Sequence, residues 1–190
     1  IDGTPKVSDL AFFLSAEYKP WEWLSLRPGV RTFIVADYDA PIAIPSVLTK
    51  FKLTKHMDLR LSYAYGFRSP TLQELYFSFH NDNHDIDGNP DLKAEYSHNI
   101  TGSVAYRVLH SEKIHLTTTL SGFYNDFRDK ISLAQNVDIP NYNTYYNIDR
   151  YKTVGGSLEN SLSWGGLRAN LNVSLIGRYN RYATGDKSMP

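Results

Sequence analysis

Residues 167 to 182 alternate almost without a break. Leu167, Ala169, Leu171, Val173, Leu175, Gly177 and Tyr179 take one side, and Arg168, Asn170, Asn172, Ser174, Arg178 and Asn180 the other, with Ile176 out of step. Successive side chains of a β-strand point to opposite faces, so this segment reads as a strand with one apolar and one wet face. A helix would scatter the same apolar residues around its whole circumference. The split recurs at 58–68, where Leu59, Leu61, Tyr63, Tyr65 and Phe67 oppose Asp58, Arg60, Ser62, Ala64, Gly66 and Arg68. It recurs again over 99–108, 114–125 and 150–164, and three further strands are expected near 10–18, 24–35 and 46–53. The total is about eight strands, and helical periodicity is nearly absent.

The connections between these strands alternate in length. Short links are expected at 19–23, 54–57, 109–113 and 164–166, and long ones at 36–45, 69–95 and 135–148. Short turns on one side and long loops on the other, with strands of about ten residues, are the pattern of an outer-membrane β-barrel whose short turns face the periplasm. Tyr18, Trp21, Trp23, Trp164, Tyr179 and Tyr182 fall near strand ends, where aromatic girdles meet the membrane interfaces. A soluble β-sandwich also alternates, and it remains the competing fold at this point.

Composition narrows the choice. The chain has 190 residues, no cysteine and a formal net charge of zero. Disulfide frameworks and thiolate metal sites are therefore excluded, and no basic face is advertised to nucleic acid. No run of about 18 apolar residues exists, so no transmembrane helix is expected. The mean hydropathy of −0.40 would ordinarily suggest a soluble protein. A barrel escapes that inference because only alternate residues face lipid. The first residues lack a basic start and an apolar core, so no signal peptide is expected there. With the first strand running inward and the last outward, both termini fall on the extracellular side. The chain is accordingly expected to be part of a longer barrel, since an open sheet would leave unpaired edges in lipid. The wet faces are rich in Ser, Thr, Asn and Gly, which suits a wide, hydrated lumen.

One stretch is more specific. Gly66-Phe67-Arg68-Ser69-Pro70-Thr71-Leu72-Gln73-Glu74-Leu75-Tyr76 is followed by Gly88-Asn89-Pro90-Asp91-Leu92-Lys93-Ala94-Glu95. The pair resembles the two boxes of TonB-dependent outer-membrane receptors, FRAP with a Glu-Leu-Tyr-like end and then NPDLKPE. Order and spacing agree, and Ala94 stands where the family usually has proline. The resemblance implies an all-β, antiparallel up-and-down transmembrane barrel, of which this chain supplies about eight of about 22 strands. Residues 1–190 are then a partial barrel domain, without the plug and the C-terminal strands. It further implies a receptor that takes up an iron complex or a similarly scarce nutrient across the outer membrane of a Gram-negative bacterium. The TonB complex would be engaged through the missing plug, and a surface lipoprotein is a possible further partner. An adhesin or structural barrel, or a cobalamin or oligosaccharide receptor, are the alternatives.

Pro70 and Pro90 fix φ and remove donors where ladders end, and Gly88-Asn89 suits a tight turn. Arg68 lies on the wet face near the outer rim, placed either to bind an anionic ligand or to pair with a carboxylate. His80 and His84 lie between the boxes. In haem receptors of this family a histidine of this loop contributes to haem capture, and imidazole is a natural axial ligand of haem iron. Haem or a ferric siderophore is thus the expected cargo, with no permanently bound cofactor. Asn83, Asp85, Asp87 and Gly88 partly imitate a calcium loop, but the twelfth position is Ala94 rather than the required glutamate. Asp85 and Asp87 are weak metal candidates. Asn136, Asn141, Tyr142, Asn143, Tyr145, Tyr146 and Asn147 form an expected Asn/Tyr-rich outer loop, suited to contact with cargo or to packing. No nucleophile–base pair or phosphate loop appears, so no enzyme is expected.

Overall fold

The computed structural model describes residues 9–35, 38, 40–81, 85–111, 113–135, 139 and 141–181. Eight long strands dominate them: β1 (Asp9–Ser15), β3 (Leu24–Val35), β4 (Ile44–Lys52), β5 (Met57–Arg68), β8 (Glu95–His110), β9 (Ile114–Gln135), β10 (Tyr142–Trp164) and β11 (Leu167–Arg181). Three short ones complete the sheet: β2 (Tyr18–Trp21), β6 (Ser78–His80) and β7 (Asp85–Asp87). Among the described residues the one helix, α1, spans Leu72–Tyr76. No described helix is long and apolar enough to cross a membrane.

The long strands pair each with the next, antiparallel, in the order β1-β3-β4-β5-β8-β9-β10-β11. This meander rules out a sandwich, in which two separate sheets would pack face to face. Register confirms the two faces. Phe51 lies opposite Leu59, Leu59 opposite Val104, Val104 opposite Leu120, Leu120 opposite Leu158 and Leu158 opposite Val173. Ile114, Leu116, Leu61, Tyr63, Leu171 and Leu175 share that face. They include side chains as exposed as Leu175 at 79% and Leu171 at 64%, although they are apolar. The other face aligns Arg60, Ser103, Ser121, Ser157 and Ser174 in one row. Residues of this polar face from β4 to β11 line a common cavity of about 460 Å³, including Arg60, Thr101, Ser121 and Asn172. The sheet therefore curls around its polar face and turns its apolar face outward. On the apolar face Asn160 accepts a hydrogen bond from Thr118 Oγ1 at 2.7 Å, so its amide oxygen is satisfied there.

The outward apolar band has a readable height. From Trp164 to Val154 along β10, at about 3.3 Å per residue and a tilt of about 40°, it spans about 25 Å. Aromatic rings gather at the rim with the short turns: Trp21 stacks on Trp23 at 5.2 Å, and Trp23 on Phe51 at 6.2 Å. Tyr182 lies outside the described residues.

Three boundaries differ from the sequence expectation. The first strand breaks at Ala16 and Glu17 into β1 and β2, leaving the tight turn at Glu22 and Trp23. β9 runs ten residues further, to Gln135, and β10 starts earlier, at Tyr142. Most of the expected Asn/Tyr-rich loop is thus strand, because Asn143, Thr144, Tyr145, Tyr146 and Asn147 pair with β9 and Tyr142 with β7 instead of looping. The 69–95 connection is also more ordered than expected, holding α1 and the β6–β7 hairpin.

Candidate functional site

The two boxes fold into one platform at the rim carrying the long connections. Thr71 caps α1: its hydroxyl accepts the Glu74 N–H at 3.2 Å, and the Glu74 carboxylate accepts the Thr71 N–H at 2.8 Å. This reciprocal capping box satisfies two donors that a helix start otherwise leaves open. Arg68 then ties the platform to the sheet. Its Nη1 donates to both Glu74 oxygens at 3.1 and 2.8 Å, and its Nη2 donates to Glu95 Oε2 at 3.1 Å. The same Glu95 oxygen accepts the Ile131 N–H at 3.1 Å. Arg68 is thereby committed to two carboxylates. Burial alone would raise the Glu74 pKa, but the bonds from Arg68 and from the Thr71 backbone outweigh it and hold the carboxyl below its ordinary value.

The second box docks onto the first. The Gly88 N–H donates to the Phe77 carbonyl and the Asn89 N–H to that of Glu74. A Cβ on Gly88 would stand 2.6 Å from the Leu75 carbonyl carbon and the Tyr76 nitrogen, so only glycine fits this approach. Asn89 Oδ1 accepts the Asp91 N–H, and its Nδ2 donates to the Tyr145 carbonyl at 2.9 Å. Pro70 is fully buried, while Leu75, Leu92 and Ile131 form a small core with Tyr145 packed on it. Ala94, the departure from the family pattern, is buried as well. Phe67 packs on Tyr96 at 5.4 Å, Ser69 is half-buried, and Pro90 and Asp91 are exposed. Asn147 clamps the second box, a role that no local sequence pattern signals. Its Oδ1 accepts the Lys93 N–H, and its Nδ2 donates to the Lys93 and Asp129 carbonyls.

Above the platform lies the β6–β7 hairpin, joined in parallel to the start of β10, with Asp85 opposite Tyr142. His80 sits here with a half-exposed side chain. Its Nδ1 is 3.2 Å from Asp85 Oδ1, and its Nε2 is 3.3 Å from Asp87 and 2.9 Å from Ser78 Oγ. Tyr142 closes the group from β10. Burial, then the charge and hydrogen bond of Asp87, push its phenol pKa above the ordinary value. No cluster of three or more metal-ligating side chains forms among the described residues. Asp85 and Asp87 face His80 instead of a shared cation position. His84 lies outside the described residues.

The structure therefore brings His80, Asp85, Asp87 and Tyr142 together. Tyr145 and Tyr146 stand apart from them: Tyr145 packs on the platform core, and Tyr146 is buried with Ala134 and Ile148.

An open antiparallel meander with an apolar outer face, a polar inner face and the two boxes folded together at one rim defines a segment of a transmembrane barrel. The sequence profile of the family described as TonB dependent receptor-like, beta-barrel, matches residues 2–189. The chain belongs to that family. It is 38% identical over 82 residues to the hemoglobin and hemoglobin-haptoglobin-binding protein C of Haemophilus influenzae, covering 43% of this chain and 7% of that protein. It is 36% identical over 98 residues to the hemoglobin-haptoglobin utilization protein B of Neisseria meningitidis, covering 50% and 12%. Among solved structures, the ferric enterobactin receptor of Pseudomonas aeruginosa superposes with a TM-score of 0.69 at 20% identity, over 88% of this chain and 26% of that one. The FrpB iron transporter of Neisseria meningitidis gives 0.69 at 21%, over 97% and 29%. These likenesses share the fold. The matched region is a small share of each relative's length.

Proposed function

We propose that this chain is barrel wall and outer rim of an outer-membrane receptor that imports an iron complex, with haem delivered by a haemoglobin-type carrier as its cargo. The observation that carries the reading is the platform of the two boxes, which presents His80 outward at the rim of a family barrel. The named relatives bind haemoglobin or its haptoglobin complex, and their identity to this chain supports haem over other iron complexes. The chemistry agrees. A histidine whose Nδ1 is held by a carboxylate, as Asp85 holds His80, has a fixed ring orientation, the usual support of a metal-binding imidazole. Nε2 exchanges Asp87 and Ser78 for the iron, and Tyr142 offers a ring and a hydroxyl beside it.

Energy reaches the barrel through the TonB complex acting on a plug that lies elsewhere in the protein, and a surface lipoprotein is the natural accessory for stripping haem from a carrier. The strands cross the outer membrane with their apolar face in lipid.

Growth of the host on haemoglobin as sole iron source tests this reading. Deleting the full-length gene is expected to stop that growth, and His80→Ala to slow it strongly with the receptor still assembled. Growth lost only on a ferric siderophore would replace haem as the cargo. Growth unchanged on every iron source would leave an adhesin or structural barrel.

A further inference from the structure

We propose that the outward face of β9, β10 and β11, directly above the apolar band on the side of the long connections, binds a phosphorylated lipid of the outer leaflet. The register sets out the site row by row. Tyr124 lies opposite Val154, and Val154 opposite Gly177, at the top of the apolar band. One row further out, Asp126 lies opposite Lys152, and Lys152 opposite Tyr179. In the next row Arg128 lies opposite Arg150, and Arg150 opposite the backbone position of Arg181.

Like charges placed directly across a ladder repel and weaken it, so Arg128 opposite Arg150 calls for a compensating anion. The described structure supplies one carboxylate. Asp126 accepts from Arg150 Nε at 3.1 Å and from Arg150 Nη2 at 2.7 Å, and lies 3.8 Å from Lys152 Nζ. Arg128 is exposed and has no ion pair among the described residues. The other rim of the same face, at Met57, Tyr106, Ile114, Trp164 and Leu167, carries no charge. The cations thus mark one interface only, the one facing the exterior in the proposed orientation.

The ligand must have two parts, because cations and apolar surface are continuous. Guanidinium forks match phosphate oxygens bidentately, and an ammonium adds a point charge. Lys152 places its Nζ over the Tyr124 ring, 5.7 Å from the centroid, and so holds its charge at the edge of the band. Acyl chains attached to such a phosphate would lie along Val154, Leu158, Leu120 and Val173. A protein partner would meet the cations without needing the apolar strip below them.

This inference rests on the outer-membrane reading above, and the two can fail separately. The full-length receptor, wild type and R128Q/K152Q, is reconstituted in phosphatidylcholine vesicles doped with diphosphoryl lipid A or with its dephosphorylated form. Inorganic pyrophosphate serves as a probe without acyl chains. Heat-modifiable migration on gels verifies that each barrel is folded, and a receptor that stays dispersed without detergent removes the membrane reading itself. Wild type is expected to retain the diphosphoryl lipid through detergent extraction, and the variant to bind it at least about tenfold more weakly, as loss of charge-assisted hydrogen bonds implies. Retention of the dephosphorylated lipid equal to that of the diphosphoryl lipid overturns the site, as does unchanged binding by the folded variant. Pyrophosphate binding as tight as the lipid's overturns the lipid assignment.

Discussion

Arg68, the last residue of β5, and Glu95, the first of β8, lie directly opposite each other and are joined by a 3.1 Å contact. One ion pair thus closes a strand ladder and fastens both ends of the connection that carries the proposed cargo site. The second arm of Arg68 reaches Glu74 at 2.8 Å, so the first box holds itself as well as its partner. A ligand role for this arginine would require breaking both contacts.

Replacing Arg68 by alanine strands two largely covered carboxylates. Loss of a partner to partly buried charges costs about 2 kcal/mol. The expected outcome is lower stability of the full-length receptor in urea titrations from liposomes, together with faster protease cleavage between residues 69 and 94. A variant as stable and as resistant as wild type would show that the platform stands without this pair.

The platform should loosen in acid. Glu74 titrates lower in the folded protein than in the unfolded chain. Its contribution is therefore fully present above the ordinary carboxylate pKa of about 4.3 and is lost as pH falls through the lower folded value. Hydrogen exchange at the amides of Thr71, Leu75 and Asn89, followed as the pH is lowered, is expected to accelerate in that window after correction for intrinsic rates. Glu74→Gln should abolish the pH dependence, and its persistence in that variant would assign it to another group.

Arginine scanning separates the two faces. At Leu171 or Val173, which face outward, arginine should cost about 2 to 4 kcal/mol near the bilayer midplane. At Ser174, on the polar face between them and Leu175, the same change should cost little. Equal tolerance at all three positions would contradict the lipid-facing assignment.

Gly88→Ala places a methyl group 2.6 Å from the backbone of Leu75 and Tyr76. The backbone must shift, at about 1 to 3 kcal/mol. Haemin titration of the purified receptor, read at its Soret band, is expected to weaken while barrel assembly is unaffected, because Gly88 belongs to the platform and to no membrane-crossing strand. Unaltered haemin affinity would uncouple the platform from capture.

The sequence revealed the membrane-crossing strands because lipid on one side and water on the other impose strict alternation, as at Leu171, Asn172, Val173 and Ser174. Beyond the bilayer both faces meet water, and that constraint disappears. Asp126, Phe127, Arg128, Asp129 and Lys130 show no apolar period, so the outer length of β9 was not legible. Asp129 even adopts a φ of 52°, a local kink that alternation cannot signal. The tyrosines and threonine at 142–146 carried a strand propensity outweighed by their asparagine neighbours. Thr71 and Glu74, three residues apart before a leucine-rich turn, were a legible capping box for α1. The meeting of His80 with Asp85, Asp87 and Tyr142 depends on a three-residue hairpin laid against a distant strand, which no local pattern encodes.

β9 and β10 remain paired past the apolar band as far as Gln135 and Asn143. At about 3.3 Å per residue and the same tilt, this ribbon rises roughly 30 Å above the lipid. It works as a mast. The hairpin at its side is held against the ribbon by its pairing to β10, so the proposed capture would spend little ordering entropy there. In the proposed function a bulky carrier would meet the hairpin while its own body stays clear of the bilayer, at a reach set by strand length.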